Sequence, residues 1–131
     1  MATVVERSDV PVMCVRVSDD LPDIRAAWER LESIVPLQGR KFFGAVEGGT
    51  AYLACAERNE SDDPDALGLE PLVLPGGRYL RERLRGEPPD VYDEIAPTFQ
   101  MLVEQAEQDE TRPSIEFYRR RDEIDLLLPV V

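Results

Sequence analysis

Residues 41–57, KFFGAVEGGTAYLACAE, and residues 114–129, SIEFYRRRDEIDLLLP, decide the fold. In the first stretch two short apolar runs flank Gly48-Gly49, the pattern of a β-hairpin. In the second, SIEFYRR and EIDLLLPV flank a turn near Arg121-Asp122, a second hairpin. A helical pattern precedes each. Ile24, Ala27, Trp28, Leu31, Ile34 and Val35 recur at helical spacing after the N-cap chemistry of Ser18-Asp19-Asp20, and Pro36 and Gly39 end that run. Val91, Ile95, Phe99, Leu102, Val103 and Ala106 repeat the pattern, with Pro97 kinking the helix or marking where its regular part begins. Further outward, VPVMCVRV (10–17) reads as a strand. LEPLVLPGGRYLRERLRG (69–86) reads as a strand interrupted at Pro75-Gly76-Gly77 by a bulge or bend. The acidic stretch NESDDPD (59–65) is an exposed, mobile loop.

The order is therefore strand, helix, hairpin, twice over. Ile24, Trp28 and Leu31 match Ile95, Phe99 and Leu102 at an offset of 71, and Phe43-Gly44 and Ala54 match Ile115-Glu116 and Leu126 at 72. The expected fold is α+β: duplicated βαββ modules forming one antiparallel sheet with two helices and a central cleft. With 131 residues, one domain is expected over 1–131, its pseudo-repeats at about 10–57 and 70–131.

Composition narrows the function. The 27 acidic and 15 basic residues give a net charge of −12, which phosphate backbones and anionic membranes repel, so direct nucleic-acid binding is not expected. No apolar run approaches the roughly 18 residues of a membrane span, and the start MATVVERSD lacks a signal peptide's apolar core, so a cytoplasmic protein is expected. The absence of His excludes His triads, His metal sites and imidazole catalysis. Cys14 and Cys55 cannot form a tetrahedral zinc site alone, Asp62-Asp63-Pro64-Asp65 lacks calcium-loop spacing, and no phosphate-loop motif occurs. No metal or cofactor is expected, and the cysteines read as small buried residues.

These motifs carry a resemblance. RPSIEFYRRRDEIDLLLPV resembles the closing segment of the gyrase-inhibitor-like (GyrI-like) small-molecule-binding domain, through Glu116, Tyr118 and Pro129. LPGGRYLRERLRG is similar to its Pro-Gly-Gly-x-Tyr strand ending in Gly, through Tyr79 and Gly86. AYLACAE resembles its second hairpin strand, and IRAAWERL its Trp-bearing first helix. The resemblance covers the chain from about Val10 to the end, and it implies the paired βαββ fold with a central cleft. It also implies binding of cationic, lipophilic compounds, with the buried strand glutamate, here Glu116, as the anionic contact. The stretch before Val10 holds no helix-turn-helix, so a stand-alone domain rather than a complete regulator is expected.

Strand alternation puts Ser114, Glu116 and Tyr118 on one face, with Ile115 and Phe117 on the other. A carboxylate lining a cleft loses hydration, and a bound cation would restore its ionised form. The plainer alternative is a surface glutamate paired with Arg119 or Arg120. Trp28 is either core or a cleft wall that stacks on a flat or cationic ligand. Tyr52 and Tyr79 offer hydroxyls as polar cleft contacts, and Tyr118 joins them as a ligand-binding candidate. Phe42, Phe43 and Phe99 read as core. Arg81, Arg83 and Arg85 read as one solvated strand face.

Three function classes stay open. The first is a binding domain for hydrophobic, cationic or aromatic small molecules that uses Glu116, Trp28, Tyr52, Tyr79 and Tyr118. The second is a hydrolase in which Glu116 is the catalytic group that opens a strained electrophilic ring of the cyclopropane type. The third is an inhibitory protein-interaction module such as a gyrase inhibitor.

Overall fold

A computed structural model describes residues 2–131. Eight strands form one antiparallel sheet: β1 (Thr3–Arg7), β2 (Val10–Ser18), β3 (Phe42–Glu47), β4 (Ala51–Glu57), β5 (Glu70–Leu74), β6 (Gly77–Arg85), β7 (Ser114–Arg120) and β8 (Glu123–Pro129). Three α-helices accompany it: α1 (Leu21–Ile34), the single turn α2 (Pro64–Leu67) and α3 (Ile95–Val103), which a 3-10 turn over Asp90–Glu94 leads into. The sheet order is β1-β6-β8-β7-β3-β4-β2-β5. The first module supplies β3-β4-β2 and the second β7-β8-β6, so the two abut at β3–β7 and mirror each other outward.

The register makes the duplication concrete. Gly44 and Glu116, equivalent positions in the two repeats, pair directly across β3–β7. Each also pairs with its repeat's equivalent on the following strand, Gly44 with Ala54 and Glu116 with Leu126. The pseudo-twofold axis therefore runs between Gly44 and Glu116.

The structure departs from the sequence expectation at two places. Residues 69–86 are not one interrupted strand. β5 and β6 part at Pro75-Gly76 and join opposite halves of the sheet, β5 at the edge beside β2 and β6 between β1 and β8. β1, unread in the sequence, behaves the same way, since it precedes β2 in the chain yet pairs with β6. The connectors from β1 to β2 and from β5 to β6 cross in contact. A Cβ at Gly76 would lie 2.8 Å from the Ser8 carbonyl carbon and 2.9 Å from the Asp9 nitrogen, so only glycine fits that crossing. Second, the loop expected to run to Asp65 ends sooner. Asp63 caps α2 through the Ala66 N–H, Pro64 is buried, and Asp62 is held by Arg40 at 2.7 Å. The helix count is accordingly three rather than two.

Both main helices lie on one face. Asp20 caps α1 by accepting from the Asp23 N–H at 3.1 Å, and Pro22 sits in the first turn, where its missing N–H costs nothing. α1 packs Ala27 and Leu31 against Met13, Val15, Tyr52 and Ala54, while α3 packs Leu102 against Leu80, Ile124, Leu126 and Leu128. The opposite face has its own core of Val12, Cys14, Phe43, Leu53, Cys55, Tyr79, Ile115 and Leu127. Strands buried on both faces explain the continuous apolar runs in β2, β4 and β8. The sheet curls into a half-barrel, and the space between α1 and α3 is a cleft floored by β3 and β7.

Candidate functional site

The cleft floor is set by strand parity. On β7, Ser114, Glu116 and Tyr118 face the helices; on β3 their partners are Val46, Gly44 and Phe42. Glu116 thus lies at the centre, an aromatic end on one side and an open end on the other.

Glu116 is 7% exposed. Its Oε1 accepts two phenol hydrogen bonds, from Tyr52 at 2.9 Å and from Tyr118 at 2.5 Å. The indole N–H of Trp28 donates to the Tyr52 oxygen at 3.1 Å, which extends the chain to α1. Oε2 takes no protein donor among the described residues, yet it is not sealed off, since no fully occluded side-chain oxygen lacks a partner there. Gly44 makes the arrangement sterically possible. A Cβ at that position would sit 2.6 Å from Glu116 Oε1 and closer still to the Tyr52 hydroxyl.

No arginine or lysine lies within ion-pair distance of Glu116 among the described residues. Arg119, one of the partners considered from the sequence, goes to Glu123 at 2.9 Å instead. Burial therefore pushes the Glu116 carboxyl above the ordinary 4.5; the two phenol donors oppose this, and the like charge of Asp19 adds to it. Tyr52 and Tyr118 are pushed well above the usual tyrosine value, chiefly by burial and then by the neighbouring carboxylate. They remain protonated donors across the physiological range.

At the aromatic end, Trp28 meets Tyr118 edge-on at 5.3 Å and Phe42 at 6.4 Å, and Tyr92 meets Tyr118 at 6.4 Å. At the other end a cavity of about 320 Å³ runs along α3. Ile95, Phe99, Val103 and Leu128 supply its apolar wall, and Asp19, Gln100, Ser114 and Glu116 are among its polar groups. No basic residue lines it, although the chain has 15.

The structure thus brings together Glu116, Trp28, Tyr52 and Tyr118, and it leaves Tyr79 apart. Tyr79 is fully buried on the opposite face, where its hydroxyl donates to the Pro75 carbonyl and its ring lies 4.8 Å below the Arg112 guanidinium. Strand parity is the reason, because Tyr79 shares a face with Arg81 and Arg83, and Leu80 points to the helices. That arginine face is itself only partly solvated, with Arg83 and Arg85 paired to Asp125 at 2.7 Å and Glu123 at 3.0 Å. Phe99, read as core, is half-buried and lines the cavity. Asp19, read as capping chemistry, also lines it, while Asp20 makes the cap.

No family model matches the sequence, and no curated protein does. Solved structures match by fold. An integron cassette protein from the mobile metagenome of Vibrio cholerae has a TM-score of 0.81 at 15% identity, covering 99% of this chain and 95% of that one. SAV2435, solved bound to tetraphenylphosphonium, has a TM-score of 0.71 at 13% identity, with 100% and 94% covered. A hydrolase from Listeria innocua gives 0.66 at 14% identity, with 99% and 91% covered. These likenesses are consistent with the GyrI-like fold that the sequence resembles.

Proposed function

We propose that the chain is a binding domain for hydrophobic cations, with Glu116 as the counter-ion and Ile95, Phe99, Val103 and Leu128 as the apolar wall. One observation carries this. A buried carboxylate without a cationic partner keeps one oxygen open to a cavity lined by no basic residue. Leaving such a charge uncompensated is costly, and a bound cation that sheds its own water is the group that offsets the cost. Charge-diffuse cations suit the site best because they lose little hydration and can pack on Phe99 and the aliphatic side chains beside it. The fold neighbour solved with tetraphenylphosphonium supports the same ligand class.

The test is a titration with tetraphenylphosphonium and, as a neutral comparison of similar shape, triphenylphosphine oxide, read by Trp28 fluorescence. Glu116→Gln keeps the shape and removes the charge. Losing one partner of a desolvated charge pair costs about 2–5 kcal/mol, so the cation should bind at least about tenfold more weakly to the variant. The neutral compound should change little. Equal affinity of the cation for both proteins refutes the reading.

A second reading rests on the same oxygen. A carboxyl with a raised pKa, fixed by two phenols and open on one side, is suited to activate a water against an electrophile. Turnover of a cyclopropane-bearing alkylator, abolished by Glu116→Gln, would establish it; binding without turnover leaves the first reading.

A further inference from the structure

The cavity presents a second carboxylate that the cleft architecture does not consume. Asp19 follows β2 directly, and its backbone N–H donates to the Thr50 carbonyl at 3.2 Å, which anchors it beside the β3–β4 turn. Its neighbour Asp20 makes the α1 cap, so the Asp19 side chain is spared that role. The Asp19 carboxylate has no hydrogen bond or ion pair among the described residues, it is exposed, and it lines the same cavity as Glu116. The cavity therefore has an unneutralised carboxylate at its floor and another at its rim, with the apolar α3 wall of Ile95, Phe99 and Val103 running alongside. The two like charges repel each other, and no basic side chain lines the cavity to relieve them. A ligand with one charge answers the floor and leaves the rim. A ligand carrying two charges on an apolar body answers both.

We propose that Asp19 and Glu116 form a two-carboxylate subsite that selects dications, two cationic centres joined through an apolar body, over monocations of the same body. This rests on the reading of Glu116 as counter-ion and adds a specificity residue to it. Because Asp19 is exposed, its contribution is that of a partly screened ion pair and depends on salt.

Ethidium and propidium supply the comparison, since they share one phenanthridinium body and carry one and two positive charges. Their own fluorescence reports binding to the full chain. Wild type should bind propidium about fivefold tighter than ethidium at low ionic strength, and the ratio should shrink as sodium chloride is added. Asp19→Asn should bring the ratio to about one while changing ethidium affinity less than about twofold. Glu60→Gln, which removes an equal charge from an exposed loop residue outside the cavity, should leave the ratio intact. Equal affinity of wild type for the two dyes overturns the proposal, and so does a ratio that survives Asp19→Asn. Glu116→Gln separates this from the underlying reading. If it weakens ethidium while the ratio is flat, the dication proposal falls and the counter-ion stands; if it leaves ethidium unchanged, both fall. Failure of either dye to bind at millimolar concentration overturns both.

Discussion

Replacing Gly44 by alanine should damage the protein far more than one methyl group on a strand normally would. Alanine is compatible with extended backbone, so any cost comes from space. The added Cβ would meet Glu116 Oε1 at 2.6 Å and the Tyr52 ring carbon Cζ at 2.9 Å, with the Tyr52 hydroxyl nearer still. None of these is the free end of a mobile side chain. Tyr52 is 3% exposed and tied to both Trp28 and Glu116. Accommodating the methyl therefore means giving up the Tyr52–Glu116 hydrogen bond, about 1.5–3 kcal/mol when the acceptor is charged, and overpacking the seam, about 1–3 kcal/mol. A total near 3–5 kcal/mol is a large part of a typical domain's stability. For a chain of this length it lowers Tm by roughly 10–20 °C. Circular dichroism melts and urea titrations measure both quantities. A double-mutant cycle isolates the mechanism. In the Tyr52→Phe background the nearest clashing atom is gone and the hydrogen bond already lost, so Gly44→Ala should cost about 1.5–3 kcal/mol less there than in wild type. A Tm within about 3 °C of wild type for Gly44→Ala, or strict additivity in the cycle, refutes the reasoning.

Two further outcomes follow from the same geometry. The Glu116 carboxyl titrates above its unfolded value, so its favourable contribution is present below the ordinary glutamate range and is lost as pH rises through the raised folded value. Glu116→Gln should therefore be at least as stable as wild type near neutrality, its relative advantage shrinking toward pH 4; urea midpoints that rank the variant lower at pH 7 contradict this. Arg112 donates to the carbonyls of Gly76, Arg78 and Val130, pairs with Asp109 and covers the Tyr79 ring, so Arg112→Ala should cost about 2–4 kcal/mol in chemical denaturation without changing cation affinity, and a loss below about 1 kcal/mol would refute the assignment.

Much of this architecture is local and therefore readable. The hairpins, α1 and the period-2 alternation of β7 depend on neighbouring residues, and the offset of 72 between Gly44 and Glu116 reappears as their pairing across the seam. What escaped the sequence is non-local. TVVER over 3–7 is five residues long with Val4 mostly exposed, and its partners on β6, from Gly77 to Arg81, are far off in the chain, so no local pattern marks it as a strand. The β5–β6 division shows the same limit. Pro75-Gly76-Gly77 signals a break, but whether the chain bends or crosses to the other half of the sheet depends on which strands already lie there. The site divides along the same line. Glu116 and Tyr118 share a face by parity on one strand, whereas Tyr52 and Trp28 reach them only through the β3–β4 register and the packing of α1. Tyr79 carried a warning, since it shares parity with Arg81, Arg83 and Arg85 and not with Leu80 and Leu84. Asp19 had none, because capping chemistry and a cavity rim use the same residue type.

The central claim is that Glu116 is a buried carboxyl whose charge awaits an external cation. A carbon-detected NMR titration of its side-chain carboxyl, run on the free protein and again with saturating tetraphenylphosphonium, tests that claim at the atom concerned. The account predicts a pKa above the ordinary 4.5 in the free protein and a clear fall when the cation is bound, because a neighbouring positive charge favours the ionised form. A Glu116 that titrates like an ordinary glutamate in the free protein, or whose pKa does not move when the cation is added, would contradict it.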